Sequence, residues 1–146
     1  MVLSVAPKAP SRYHRDMTHA SDHVTCLVDL VFPNQTNHLG TLFGGHALSM
    51  MDKAASIAAH RYCRNTVVTA SIERTDFLAP VYEGELAEVT ASVVKTGRTS
   101  MVVEVELHAE NMLTGERRLC TRGKFNMVAL NEQGTPTTVP PLSGAA

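Results

Sequence analysis

The sequence predicts an α+β fold in which an antiparallel β-sheet carries one long α-helix on its concave face. Two observations support that expectation. Residues 45–62 are dominated by Ala, Leu, Met and Ile, with the polar residues gathered on one side. After Gly84, segments of strictly alternating apolar and polar residues follow one another across short turns. The resulting order is one strand, one long helix and then four strands, with no internal repeat.

The elements follow in turn. VTCLVDLVF, residues 24–32, is apolar and β-branched and stops at Pro33-Asn34, which marks a largely buried strand. The helix comes next. VVTASIERTDFLAP supplies a strand over residues 66–77, closed by Pro80. Leu86, Val89, Ala91 and Val93 mark a further strand that breaks at Lys95-Thr-Gly-Arg98, a hairpin turn. Met101, Val103, Val105, Leu107 and Ala109 then alternate with Val102, Glu104, Glu106, His108 and Glu110, giving a strand with one buried and one wet face. A turn at 111–115 leads to the last strand, with Leu119, Thr121, Gly123, Phe125, Met127 and Ala129 on one face.

At 146 residues the chain is long enough for one domain. The expected organisation is a disordered extension over 1–22, a folded domain over 23–132 and a flexible tail over 133–146, rich in Pro, Thr and Gly. The first residues lack an apolar core of signal-peptide length. Lys8, Arg12 and Arg15 precede the first acid and faintly resemble a transit peptide, and Met17 is an alternative start. A formal net charge of −1 argues against a general nucleic-acid binder. No apolar run has the length of a membrane span. Cys26, Cys63 and Cys120 fit neither a disulfide framework nor a zinc pattern. They read as reduced, buried thiols, and a cytoplasmic location is expected.

The helix holds the chemistry. At about 100° per residue, Ser49, Asp52, Lys53, Ser56 and His60 share an arc of roughly 100°. The rest of the girth is apolar, so protein is expected on nearly all sides of this helix. Gly44 and Gly45 leave backbone N–H groups free at its start, where unpaired donors and the helix dipole favour negative charge. Their plainer reading is a tight turn into the helix, and the plainer reading of Asp52 is a solvated acid beside Lys53. Together they suggest acyl transfer, with helix-start amides stabilising an oxyanion and a carboxylate activating water or attacking. Eight residues separate Gly44 from Asp52, roughly 12 Å along one axis. Two antiparallel helices across a two-fold axis would bring the aspartate of one to the glycines of the other.

TNHLGTLFGGHALSMMDKAA resembles the N-x-x-G-x-x-x-GG-x-x-x-x-x-x-D signature of hotdog-fold acyl-CoA thioesterases, the bacterial short-to-medium-chain hydrolases and the cytosolic brain-type acyl-CoA hydrolases. The similarity continues through VVTASIERTDFLAPVYEGE, KTGRTSM, RGKFNMVAL and TTVPPL, from about residue 24 to 142. It implies a curved antiparallel sheet wrapped around one long central helix. It also implies dimers, often gathered into hexamers as trimers of dimers, with sites at the dimer interface. By position, Asp52 is then the catalytic carboxylate, as base or nucleophile. Asn37 orients water or thioester from across the interface, and Gly44 or Gly45 supplies the oxyanion N–H. Ser56, one turn after Asp52, is a weaker candidate to bond the carboxylate or water.

Coenzyme A enters as part of the substrate, and no separate cofactor or metal is expected. Its phosphates call for cations. The candidates are Lys95, Arg98, Thr99 and Ser100 in the KTGRTSM turn, with Arg122 and Lys124 on one face of the last strand. Two alternatives stay open. A hydroxyacyl-thioester dehydratase of the same fold would use a histidine with an acid, for which His46 or His38 stands near. A non-catalytic acyl-CoA sensor would bind the same ligand without turnover.

Overall fold

The computed structural model describes residues 24–142; the expected extension over 1–22 and residues 143–146 lie outside them. The elements are β1 (Val24–Leu30), a 3₁₀ turn (Pro33–Gln35), α1 (Gly44–Cys63), β2 (Thr66–Ile72), β3 (Asp76–Phe77), β4 (Leu86–Thr96), β5 (Ser100–Glu110) and β6 (Arg117–Leu130). The sheet runs β1-β4-β5-β6-β2 with β3 also on β6, and each pair is antiparallel. This is the hotdog arrangement, with α1 lying across the sheet's inner face.

Alternation decides which face is inner. Ala87, Val89, Ala91 and Val93 of β4 are buried, as are Met101, Val103, Val105, Leu107 and Ala109 of β5. From α1 they meet Met51, Ala54, Ala55, Ala58 and Ala59. The alanines bring the helix backbone close to the sheet, while Phe125, Met127 and Met51 fill what remains. Each such large side chain contributes about 1.5–3 kcal/mol of burial. The expectation of a helix wrapped on nearly all sides is not met within one chain. Ser49, Lys53 and His60 are exposed, and Leu48, Met50 and Ile57 are only half-buried.

Three local differences have physical causes. The strand expected over 66–77 is two strands: Glu73 N–H still bonds Lys124 O of β6, but Thr75 leans its side chain over Gly123 and residues 74–75 leave the ladder. A Cβ on Gly123 would sit 2.6 Å from the Thr75 hydroxyl, so the strand is glycine there. In β6, a register shift opposite Leu107 and His108 inserts one extra residue. Cys120 and Thr121 are consequently both buried, and Leu119 is displaced from the inner face it was expected to share.

The helix ends on Arg64, which adopts the left-handed conformation (φ 55°, ψ 30°) while its N–H bonds the His60 carbonyl. The tail expected to trail from residue 133 is tied down in its described part. Thr137 N–H bonds Ala129 O, Val139 N–H bonds Arg98 O, and the Tyr62 hydroxyl donates to Pro140 O. Val139 is buried. The three cysteines are free, but Cys26 is exposed rather than buried. It lies on the sheet-edge strand β1, paired only with β4, on the face away from the helix. Among the described residues, no helix is long and apolar enough to cross a membrane.

Candidate active site

The start of α1 is built by the loop before it. Gly40, at φ +73°, closes a turn in which Gly40 N–H bonds Asn37 O and Asn37 N–H bonds Thr41 O. The Asn37 side chain reinforces it: Oδ1 accepts from the N–H groups of Leu39 and Thr41 (2.9 and 3.2 Å), and Nδ2 donates to Thr41 Oγ1 at 2.9 Å. In one chain Asn37 is therefore a turn-forming residue. Leu42 N–H then bonds Val81 O and Phe43 N–H bonds Gln35 O, which fixes the entry into the helix.

Phe43 stands at the N-cap position and no side chain caps the first helical amides. Gly44 and Gly45 follow with neither in the positive-φ region, so no left-handed turn requires them. Space does not require them either. A Cβ on Gly45 would meet nothing within 4 Å, and one on Gly44 would touch the Phe77 ring edge at 3.4 Å, an ordinary contact. Glycine at a helical position costs about 0.5–1 kcal/mol relative to alanine. Among the described residues, neither backbone conformation nor crowding calls for glycine there.

Asp52 points to the β2 side of the helix. Its Oδ1 accepts a 2.6 Å hydrogen bond from Thr69 Oγ1, and Lys53 makes no ion pair with it. Thr69 sits next to a bulge: the β2–β6 register shifts between Thr69 and Ser71. Thr69 has the parity of the buried Val67, so it faces the helix, and the bulge releases the strand just beyond it. Sequence reasoning missed Thr69. Its signal was there, a hydroxyl on the inward parity of a strand that must pass beside the helix.

Other candidates go elsewhere. Ser56 Oγ lies 3.5 Å from His60 Nδ1 and is not bonded to Asp52. His60 Nδ1 is 2.8 Å from the Ser56 carbonyl, one helical turn back. His46 Nε2 pairs with the Gln35 side-chain amide at 3.1 Å, and His38 is exposed. Burial pushes the Cys120 thiol above its ordinary range, which disfavours a thiolate nucleophile.

The candidate coenzyme A contacts form two groups. Lys95, Arg98, Thr99 and Ser100 lie around the β4–β5 turn, where Thr99 O accepts from Ala129 N–H and Ser100 pairs with Val128. The Ser100 side chain packs over Gly97. Arg122 lies six residues further along β6, roughly 20 Å away. It pairs with Glu106, and Lys124 faces Glu104 across the strands. These two residues border a groove shared with Glu73, Arg74 and Asp76. One chain does not bring the two groups together.

A second structure borders the helix start. An apolar pocket of about 270 Å³ opens beside Gly44, between α1 and the segment following β3. That segment is clamped from behind. Arg118 forks onto both carboxylate oxygens of Glu85 and also donates twice to Pro80 O (3.2 and 2.7 Å). Its guanidinium covers the Tyr82 ring, and Tyr82 N–H donates to Glu85. Glu85 is only 8% exposed, and the Arg118 hydrogen bonds hold its carboxyl below the usual range.

Comparison with known proteins fits this geometry. The family model of the thioesterase superfamily matches residues 39–116. An uncharacterized acyl-CoA thioester hydrolase of Bacillus subtilis, YkhA, is 42% identical over 75% of this chain. A cytosolic acyl coenzyme A thioester hydrolase of Rattus norvegicus is 32% identical over 88% of it. The chain spans 64% and 36% of the lengths of these two relatives. An apo-hexameric acyl-CoA thioesterase superposes with TM-score 0.83 at 42% identity, covering 86% of this chain and 81% of that one. An acyl-CoA hydrolase of Staphylococcus aureus, solved with butyryl coenzyme A and coenzyme A, superposes with TM-score 0.80 at 33% identity, covering 83% and 74%. That hydrolase has also been solved with an Asn, an Asp and a Thr each replaced by Ala. Those three positions have the same spacing along the chain as Asn37, Asp52 and Thr69 here.

Proposed function

Because the chain belongs to the thioesterase superfamily, we propose that it hydrolyses acyl-CoA thioesters to coenzyme A and a carboxylic acid, at a site shared by two subunits. The observation that carries this reading is the glycine pair. Neither backbone conformation nor crowding within the chain calls for glycine at 44 and 45, so what needs the bare backbone comes from outside the chain. A thioester oxygen lying on the amides is that visitor.

The chemistry then runs from the groups present. The thioester carbonyl oxygen takes hydrogen bonds from the N–H of Gly44 or Gly45. Asp52 of the other subunit takes a proton from a water whose oxygen attacks the carbonyl carbon. Thr69 occupies Asp52 Oδ1 and so leaves Oδ2 to receive that proton. The negative charge collects on the carbonyl oxygen, facing the helix dipole. Collapse breaks the C–S bond, and the sulfur leaves as coenzyme A with the proton returned from Asp52. Asn37, at the helix start, belongs to the glycine side of the site, where its remaining N–H can hold water or the thioester. Ser56 has no step in this scheme. No metal or cofactor is needed.

A dimer follows from distance, since Gly44 and Asp52 of one helix are roughly 12 Å apart. Val68 and Ile72 on the sheet-edge strand β2 and Phe43 at the helix start are exposed, and they give a second copy an apolar surface to cover. A trimer of dimers is the expected larger assembly, supported by the likeness to a hexameric thioesterase. Lys95, Arg98, Thr99 and Ser100 are the preferred phosphate contacts, with Arg122 and Lys124 reached from the other subunit. The cytoplasm, where cysteines stay reduced, is the compartment this reading implies.

Free-thiol release from acyl-CoAs from acetyl to stearoyl, with wild type and Asp52→Asn in parallel, tests the reading. Turnover by wild type that is lost in a folded Asp52→Asn dimer is expected. Coenzyme A binding without turnover of any thioester would favour the sensor instead.

A further inference from the structure

The contact between Gln35 and His46 is used by no step above. Gln35 is fixed on three sides. Its N–H bonds Phe32 O at 3.0 Å, its carbonyl accepts from Phe43 N–H at 3.1 Å, and its side-chain Oε1 accepts from Phe32 N–H at 2.9 Å. With Oε1 engaged, the amide turns its NH₂ group to His46, whose Nε2 lies 3.1 Å from Gln35 Nε2. An amide NH₂ only donates, so His46 Nε2 accepts. A ring that accepts at Nε2 is neutral and carries its proton on Nδ1. That Nδ1–H bonds nothing among the described residues, and it is not sealed from solvent.

We propose that His46 is a further donor to the thioester: its Nδ1–H, set by Gln35, bonds the carbonyl oxygen beside the helix-start amides. The inference rests on the acyl-CoA hydrolase reading. Position supports it. The first helical bond runs from Ala47 N–H to Phe43 O, so the N–H groups of Gly44, Gly45 and His46 precede it. Side chains on a helix lean toward its N-terminus, so the imidazole of the third helical residue leans to the end at which those amides point. The form of the ring supports it too. A neutral N–H can donate to an oxygen on which charge gathers and keep its proton throughout, while the water's proton travels by way of Asp52.

The same contact separates His46 from the dehydratase alternative. A dehydratase base must present a ring nitrogen with a free lone pair. The Nε2 lone pair is taken by Gln35, and Nδ1 holds the proton. The histidine that follows the glycines is a donor and not that base.

Three variants and one spectrum test this. In proton–nitrogen NMR of the wild-type imidazoles, the His46 ring, identified by its loss in His46→Phe, should carry its proton on Nδ1 and not on Nε2. His46→Phe keeps a ring and removes both nitrogens. Its kcat on the acyl-CoA that wild type hydrolyses best should fall about tenfold or more, with KM changed less than about threefold. His46→Asn, whose side-chain NH₂ replaces the Nδ1 donor, should recover most of that loss. Gln35→Glu keeps the acceptor for Phe32 N–H but gives Nε2 an acceptor to face. As pH rises through the range in which histidines lose their charge, the ring of this variant keeps its proton on Nε2 and turns a lone pair on the substrate from Nδ1. Its kcat should fall over that range, and that of wild type should not. Gln35→Glu leaves His46 in place, so it keeps the test decisive if His46→Phe fails to fold. A wild-type ring protonated on Nε2, or folded Phe and Asn variants with the same kcat as each other, would overturn the assignment and leave the hydrolase reading intact. Absence of turnover by wild type on any acyl-CoA would remove the hydrolase reading, and the role of His46 with it.

Discussion

At the scale of single residues, the glycine pair makes an unusual demand. If Gly44 and Gly45 serve a ligand and not the fold, removing the glycine should help the fold. Gly45→Ala is expected to raise unfolding free energy by about 0.5–1 kcal/mol in urea titration while lowering kcat/KM by an order of magnitude or more. A loss of both stability and activity would make the glycine structural. Thr69→Val tests the other half. It keeps the side-chain shape and removes the donor to Asp52, so kcat should fall while KM changes little. The placement of Gly44, Gly45 and Asp52 along one helix was legible in the sequence, because helix periodicity fixes their relation along the axis. Thr69 was not, because its partner lies across two elements and only the folded strand brings the hydroxyl within 2.6 Å. The suggested Ser56–Asp52 bond fails for a reason periodicity cannot supply: the Ser56 hydroxyl lies beside His60, one turn further on, and Asp52 is taken by Thr69 from another element.

Among the elements, the strands and helix could be read closely because alternation and helical periodicity are local properties. What escaped was local irregularity. The bulge in β6 and the break between β2 and β3 depend on which residue crowds which, Thr75 over Gly123 above all. The helix end offers a direct test. Arg64 holds a left-handed conformation that glycine adopts without strain, so Arg64→Gly should stabilise by about 1 kcal/mol, visible as a higher midpoint of thermal or urea unfolding. The Glu85–Arg118 clamp predicts a pH dependence. Arg118 lowers the Glu85 pKa, so the pair's stabilisation is complete above the unfolded carboxyl value near 4.5 and is lost as pH falls through the lower folded value. Glu85→Gln should cost about 2 kcal/mol at neutral pH, because it leaves the Arg118 charge without its carboxylate partner. It should also flatten the acid limb of the stability curve. An unchanged acid limb would show that Glu85 is not the group responsible.

On the scale of the whole molecule, the proposed site needs two chains. The core closes between α1 and the sheet, yet Asp52 faces β2, where the apolar side chains of Val68 and Ile72 remain exposed. Composition and patterning fixed the single chain's architecture but say nothing directly about a second copy; only the length of the helix between Gly44 and Asp52 does. That separation can be tested with two inactive proteins. Asp52→Ala lacks the carboxylate, and Gly45→Val fills the amide surface at a position with free space around it. When the two are mixed and allowed to exchange subunits, half of the dimers are mixed, and each has one intact site made of Gly45 from one chain and Asp52 from the other. Thiol release should recover to about a quarter of the wild-type rate, the statistical share of intact sites. Mixed dimers shown to form, yet as inactive as either parent, would mean that the glycines and the aspartate do not meet across the interface.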